Sequence, residues 1–520
     1  MKFYFKFLTC ALLVVVYSCR SLKDQKVITE ETDKAVAYFD KDAHKLYFTI
    51  LQLNDVYEIA PIQGGRFGGL ARVETIRKQL LQETPHTLLV LAGDFLNPSL
   101  LGTLKVNGER LRGQQMVDVL NAMQTDVVAF GNHEFDLKYE TLQKRLNESN
   151  FDWVSANVRY KSKDTVRLFY KERNGFKTPV SDVFIKTLKV DKSNIKIAFL
   201  SACIPSNPKS YVAYKDIYRE LKRTYNVVKD SVDVVLALTH LKIDQAKRVA
   251  ELLPEVPLIM GGHEHVNMRE AVGNVKITKA DANAKTVYIH RFEFDPVSKK
   301  LKIKSELKVV DAAIPSDSQI GAVVNKWQEL LKTNIKEVID NPDEIIYKTA
   351  KILNGKDAAV RSSQTNLGTL ITKAMRYSYN YDVDCALVNG GSIRIDDVLT
   401  GALTPVDIFR VLPYGGPVFK ITLRGRLLNQ ILNFGENAAG TGAYLQYSQV
   451  SGSHDSWRIG GKNLQLTQIY TVAISDYLMK GLDIPFLNEA HPDILEVYKP
   501  KEQEVSTDIR KVVVGYLKTL

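Results

Sequence analysis

The chain has 520 residues, 45% of them hydrophobic and 25% charged, the balance of a soluble globular protein long enough for two or three domains. Its formal net charge of +11 fits a surface that tolerates anionic substrates or an anionic membrane. The lysines and arginines are spread along the chain and no nucleic-acid-reading motif occurs, so no nucleic-acid polymer is expected as a partner.

The N-terminus reads as a targeting segment. Lys2 and Lys6 precede an apolar stretch, Phe7 to Tyr17, too short to span a bilayer. Tyr17-Ser18-Cys19 resembles a bacterial lipoprotein signal. That resemblance implies cleavage before Cys19, a lipid on its thiol, and a mature protein carried across the inner membrane and anchored in the periplasm or at the cell surface. Tyr17 is larger than the residue usual there, and a plain secretory signal is the other reading. Residues 19–43 are polar and expected to be a tether. Cys203 and Cys385 lie far apart beside apolar runs and are expected to be two buried thiols.

Strand-like and helical stretches then alternate. Leu46 to Leu53 ends at Asn54-Asp55, and Gly69 to Gln82 has the spacing of an amphipathic helix. Thr87 to Leu91 ends at Gly93-Asp94, Gly113 to Met123 reads as helix, and Val127 to Phe130 leads into Gly131-Asn132-His133-Glu134-Phe135-Asp136. Further strands are expected at Trp153 to Val158, Lys196 to Ser201 and Val232 to Leu238, the last ending at Thr239-His240. A helix over Asp244 to Leu253 precedes Pro257 to Met260, which ends at Gly261-Gly262-His263-Glu264-His265. This order predicts a layered α/β domain over 44–312. Pro315 to Ser318 caps a long run, Gln319 to Val338, read as a linker helix within 313–345. Residues 346–520 carry mixed α+β signals, closed by a helix over Val505 to Leu517.

Five strand ends thus deliver carboxylate, amide and imidazole groups: Asp55, Asp94, Asn132, His240, and the pair His263 and His265. Strand ends in one sheet lie side by side, and these donor types suit Zn, Mn, Co or Fe. An extended His263-x-His265 would point both imidazoles the same way. The histidines outside these motifs, His44, His86, His290, His454 and His491, are expected to be ordinary packed or exposed side chains.

The series NDVY, GDF, GNHEFD, TH and GGHEH resembles the calcineurin-like metallophosphoesterases and, more narrowly, the 5′-nucleotidase family. The resemblance implies an N-terminal four-layer α/β/β/α domain, a C-terminal α+β substrate-binding domain, and two divalent metal ions. Asp94 would bridge them, with Asp55 and His265 in the first site and Asn132, His240 and His263 in the second. His133 and Asp136 match the catalytic dyad; a helical turn after Asn132 would let Asp136 orient the imidazole. Glu134 and Phe135 are expected to be structural. One position departs from the pattern. The family has Asp-x-His where this chain has Asp55-Val56-Tyr57, so either water takes the imidazole's place or the Tyr57 oxygen binds, which would favour Fe(III).

The C-terminal half resembles the family's substrate-binding domain at Arg361 with Thr365 to Gly368, at Asn389 to Arg394, at Thr404 to Tyr414, and at Tyr477 to Asp483. Gln364 and Leu482 depart from it, the latter where a glycine is usual. Arg361 and Arg394 offer planar donors for an anion. Tyr414 and Tyr477 could sandwich a base, Asp483 could accept from ribose hydroxyls, and Asn389 could bond the ligand or fix its loop. The expected reaction is metal-dependent hydrolysis of nucleoside 5′-monophosphates by a metal-activated water, with no obligate protein partner. UDP-sugar hydrolysis, 2′,3′-cyclic-nucleotide hydrolysis and a non-catalytic nucleotide-binding lipoprotein are the alternatives.

Overall fold

The computed structural model describes residues 27–32, 39 and 42–520, apart from 107, 164, 191–192, 207–208 and 455. The expected signal segment and Cys19 lie outside the described residues.

Two sheets meet face to face in the N-terminal domain. The first has seven strands in the order Val27–Thr32, Leu301–Val309, Thr286–Phe294, Leu46–Leu53, Thr87–Leu91, Val127–Ala129 and Asp152–Val154. The second has six, in the order Val183–Val190, Ser193–Leu200, Val234–Thr239, Leu258–Gly261, Val275–Lys279 and Met268–Val272. Alternation along each strand decides which layer a side chain joins. Phe48, Ile50, Leu88 and Val90 meet Ile197, Leu236 and Met260 in the core between the sheets. Leu51, Leu53, Leu89 and Leu91 face the other way and are covered by the helices Leu70–Glu83, Gln114–Ala122 and Ser318–Lys336. The helices Ile217–Val228 and Ile243–Leu252 cover the second sheet's outer face. Helix, sheet, sheet, helix is the expected four-layer arrangement. Because its strands are covered on both sides, Thr87–Leu91 is buried along its whole length, as a parallel strand in such a position must be.

The helix read as a linker starts as expected: Asp317 caps it, accepting from the Gln319 and Ile320 N–H groups. It does not stand between domains. Ile320, Val324, Trp327, Leu331 and Ile335 are buried in the N-terminal core. The chain crosses to the second domain only after this helix, through the segment that includes Asn341-Pro342. Several strands are not anticipated by the sequence pattern, among them Val27–Thr32, which lies within the stretch read as tether and pairs in parallel with Leu301–Glu306. In Leu301–Val309 alternating lysines lower the average hydrophobicity, and only the partner strands reveal its buried face.

The C-terminal domain is built on five strands ordered Leu445–Ser448, Cys385–Asn389, Ile469–Ser475, Val418–Arg424 and Ile494–Tyr498. Asn366–Tyr377 and Ile509–Leu517 pack on one face and Gly425–Asn437 on the other. Cys203 and Cys385 are free and buried, as expected.

Candidate active site

The parallel strands of both N-terminal sheets end along one edge, and the candidate ligands leave the sheets there. Asp55 (φ 52°), Asp94 (φ 58°), His263 (φ 98°) and His265 (φ 61°) all adopt the left-handed conformation, strained for residues with a side chain. For His263-x-His265 this corrects the expectation of an extended segment. The two imidazoles reach the site through a bend, not through strand alternation. Glycines let the loops close. A Cβ on Gly262 would lie 2.6 Å from the Ala92 carbonyl oxygen and 2.9 Å from Asp55 Oδ2, and one on Gly93 2.9 Å from His240 Nδ1.

Asp55, Asp94 and His240 are fully buried and each presents a ligand atom within 4.8 Å of the others'. His240 Nδ1 donates to the Ala92 carbonyl at 2.8 Å. Its other nitrogen, Nε2, therefore points inward, 3.1 Å from Asp94 Oδ2. Neither this nitrogen nor Asp55 Oδ1 has an aligned hydrogen bond among the described residues. Buried donor atoms that converge on one point without an aligned hydrogen bond fit a cation site. The donor set of carboxylate, imidazole and amide oxygen fits a divalent metal.

The remaining candidates gather around this triad. Asn132 Oδ1 lies 3.1 Å from His263 Nδ1. His265 Nε2 lies 3.3 Å from Asp55 Oδ1. Tyr57 reaches into the same group, its hydroxyl 2.9 Å from His265 Nε2 and 3.2 Å from Asp94 Oδ2. The 3₁₀ turn His133–Asp136 follows Asn132 as expected, and it brings His133 Nδ1 to 2.7 Å from Asp136 Oδ2.

Several residues outside the expected ligand and dyad sets hold this geometry, Glu134 among them in the structural role expected of it. The buried Glu134 carboxylate accepts from the Asp94, Phe95, Leu96 and Gly131 N–H groups at 2.7–3.1 Å, tying two strand-end loops together. Asn97 Nδ2 donates to Asp136 Oδ2 at 3.0 Å. Asn283 Oδ1 accepts from the Tyr57 and Glu58 N–H groups. Lys279, buried, donates to the Gly262 carbonyl and pairs with Glu264 behind the GGHEH loop. Of these, Glu134 and Glu264 lie inside motifs and Asn97 just beyond one, where position could have flagged them.

A cavity of about 670 Å³ opens beside the dyad, between the two domains. His133 and Asp136 line it from one side, and Arg361, Asn389, Arg394, Tyr414, Tyr477 and Asp483 from the other. Asp483 accepts from Asn389 Nδ2 at 2.8 Å and from the Tyr477 hydroxyl at 3.2 Å, so these three form one polar cluster. Tyr414 is 49% exposed, which leaves its ring free to meet a ligand. Leu482, at the departure from the usual glycine, is exposed.

The electrostatics follow from burial and proximity. Burial opposes a charged His240, yet the Asp94 and Asp55 carboxylates raise its pKa to about 9. Burial and the charge on His240 push His263 down to about 3, leaving a neutral imidazole. Burial likewise opposes a charged His133, but Asp94 and Asp136 outweigh it and raise its pKa. Burial and Asp94 raise Glu134 to about 7, and burial, then Asp94, pushes the Tyr57 phenol well up.

A cation must displace the proton that the carboxylates favour on His240. Binding should therefore tighten with rising pH, by about tenfold per unit for each proton displaced, across roughly pH 6 to 8. Titration against a competing chelator checks this; an affinity independent of pH would contradict it.

Comparison with known proteins identifies both domains. Residues 48–267 match the model for calcineurin-like phosphoesterases, and residues 345–489 match that for the 5′-nucleotidase C-terminal domain. The chain is 28% identical over 469 residues to snake venom 5′-nucleotidase from Crotalus adamanteus, covering 81% of this chain and 76% of that one. It is 26% identical over 506 residues to human 5′-nucleotidase, covering 84% and 83%. In fold it is similar to a 5′-nucleotidase precursor from Thermus thermophilus, with a TM-score of 0.64, 22% identity, and coverage of 91% of this chain and 96% of that one. The chain therefore carries a calcineurin-like phosphoesterase domain followed by a 5′-nucleotidase C-terminal domain.

Proposed function

We propose that the protein hydrolyses nucleoside 5′-monophosphates to nucleoside and phosphate. The observation that carries this reading is the shared cavity, in which a catalytic dyad faces two arginines and two tyrosines from the other domain. In this reading two divalent cations, Zn, Mn, Co or Fe, would be held by Asp94 together with Asp55 and His265 at the first site and Asn132, His240 and His263 at the second. Bound cations supply positive charge against the phosphoryl oxygens and lower the pKa of a coordinated water. Everything else falls to the chain's own side chains. Asp136 holds His133 by Nδ1, which leaves Nε2 to stabilise developing charge or protonate the leaving ribose oxygen. Arg361 and Arg394 bind the anionic end of the nucleotide, Tyr414 and Tyr477 take the base between them, and Asp483 accepts from the ribose, held in place by Asn389.

The test is phosphate release from AMP, a 2′,3′-cyclic nucleotide and UDP-glucose, with Mn, Co or Zn supplied in turn. AMP should be the best substrate, and His133→Ala should slow its hydrolysis by about 10²–10⁴-fold. Preference for either other ester would replace the reading with that activity. Nucleotide binding without release under any metal would make this a binding protein.

Tyr57 stands where the family has histidine, and its oxygen already lies within hydrogen-bond distance of Asp94 and His265. We infer that this oxygen replaces the missing imidazole as a donor to the first site. A cation there would oppose the burial that raises the phenol's pKa. Tyr57→Phe should then lose one of two bound metals while Tyr57→His keeps both, and an Fe(III)-loaded parent should show a visible band absent from Tyr57→Phe. Equal metal content in parent and Tyr57→Phe would rule the tyrosine out.

No helix among the described residues is long and apolar enough to cross a membrane. Attachment is assigned to a lipid on Cys19 after export. Labelling with a radioactive fatty acid should be lost in Cys19→Ser; retained label would refute it.

A further inference from the structure

We propose that Asp396, a residue of the C-terminal domain, positions the His265 imidazole of the N-terminal domain, so that cation binding at the first site and closure of the two domains are linked. The inference rests on the reading of His265 as a metal ligand.

After the strand Cys385–Asn389 and the 3₁₀ turn Gly390–Ser392, the chain runs along the domain boundary. There the Asp396 carboxylate pairs with His265 Nδ1. The other face of the imidazole is committed to the site: Nε2 lies 2.9 Å from the Tyr57 hydroxyl and 3.3 Å from Asp55 Oδ1. Asp396 is itself held. Its Oδ1 accepts from the Asp357 N–H at 2.6 Å, and its backbone sits at φ 41°, a conformation a non-glycine residue keeps only where its surroundings impose it.

The imposition comes from contacts across the boundary on either side. Asp397 accepts from Lys285 at 3.0 Å and from Gln63 Nε2 at 3.4 Å. Arg410 lies 3.5 Å from Glu58, one residue beyond Tyr57. Arg394 approaches Asp136 at 3.9 Å. This face of the C-terminal domain therefore touches the carboxylate that orients His133, a ligand histidine and the segment carrying Tyr57.

A carboxylate on the outer nitrogen of a metal-ligating imidazole fixes its tautomer and ring plane and raises its basicity, and losing such a partner weakens metal binding by about 10–100-fold. Here the partner sits on the other domain and departs when the domains separate. By linkage, a cation that binds more tightly in the closed state must favour closure to the same degree. The metal site is complete only while the domain that carries the substrate is docked on it.

The experiment is a cation titration against a competing chelator on the full chain, with X-ray scattering of metal-free and metal-loaded samples, for the parent, Asp396→Ala and Asp396→Asn. Asp396→Ala should weaken one of two sites by about 10–100-fold, leave the other unchanged, and abolish the compaction that metal produces in the parent. Asp396→Asn, which keeps one acceptor oxygen where the carboxylate offers separate ones to Nδ1–H and the Asp357 N–H, should recover part of both. An Asp396→Ala protein that binds both cations as tightly as the parent and compacts equally would overturn the positioning role. A parent that binds no cation would overturn the metal-site reading as well.

Discussion

Two aspartates buried side by side set the terms for this structure. Asp55 and Asp94 are both sealed from solvent and share the neighbourhood of one imidazole. A buried carboxylate is costly unless it is paired or hydrogen-bonded, and two together need positive charge between them. His240 supplies part of it, and the carboxylates raise its pKa in return. The rest of the edge supplies donors. The His133 N–H reaches Asp94 Oδ1 at 2.8 Å, and the His263 N–H and Asn54 side chain reach Asp55 Oδ2 at 2.9 Å. Once two carboxylates are fixed this way, a divalent cation is the natural remaining partner, and the surrounding loops have a fixed point to close on.

The dyad depends on the same point. Glu134 gathers backbone N–H groups from the loops that carry Asp94 and Gly131, and the helical turn it sits in presents His133 and Asp136 towards the cavity. His133, between Asn132 and this glutamate, is therefore placed by the same loops that hold Asp94. In the proposed reading the strand ends hold the reacting groups and the second domain brings the nucleotide-contacting ones, a division of labour that would let substrate choice vary without disturbing the chemistry.

Much of this is legible in the sequence because the ligands sit in short contiguous motifs at the ends of strongly apolar strands. The pattern places the strand at Leu46–Leu53 and the helix at Gln114–Ala122 to within a residue of their ends, and all six proposed nucleotide-contacting residues line one cavity. What escapes the sequence depends on contacts far apart in the chain. Nothing local to Asp396, Lys279 or Asn283 marks it as a support for a loop that lies elsewhere in sequence. The left-handed backbone at His263 and His265 has only a weak signal in residue type, since histidine is enriched there over most residues but far less than glycine. The helix Ser318–Lys336 carries a clear periodic pattern, but which domain its apolar face joins is settled by packing.

The central claim is that one domain performs hydrolysis and the other chooses the nucleoside, within one cavity. The kinetics of Tyr477→Ala on AMP and on p-nitrophenyl phosphate, which offers no nucleoside to select, test it most directly. Loss of one stacking partner, about 1–3 kcal/mol, should lower kcat/KM for AMP by about 5–150-fold and leave p-nitrophenyl phosphate far less affected. Equal losses on both substrates, or no loss on AMP, would contradict the account.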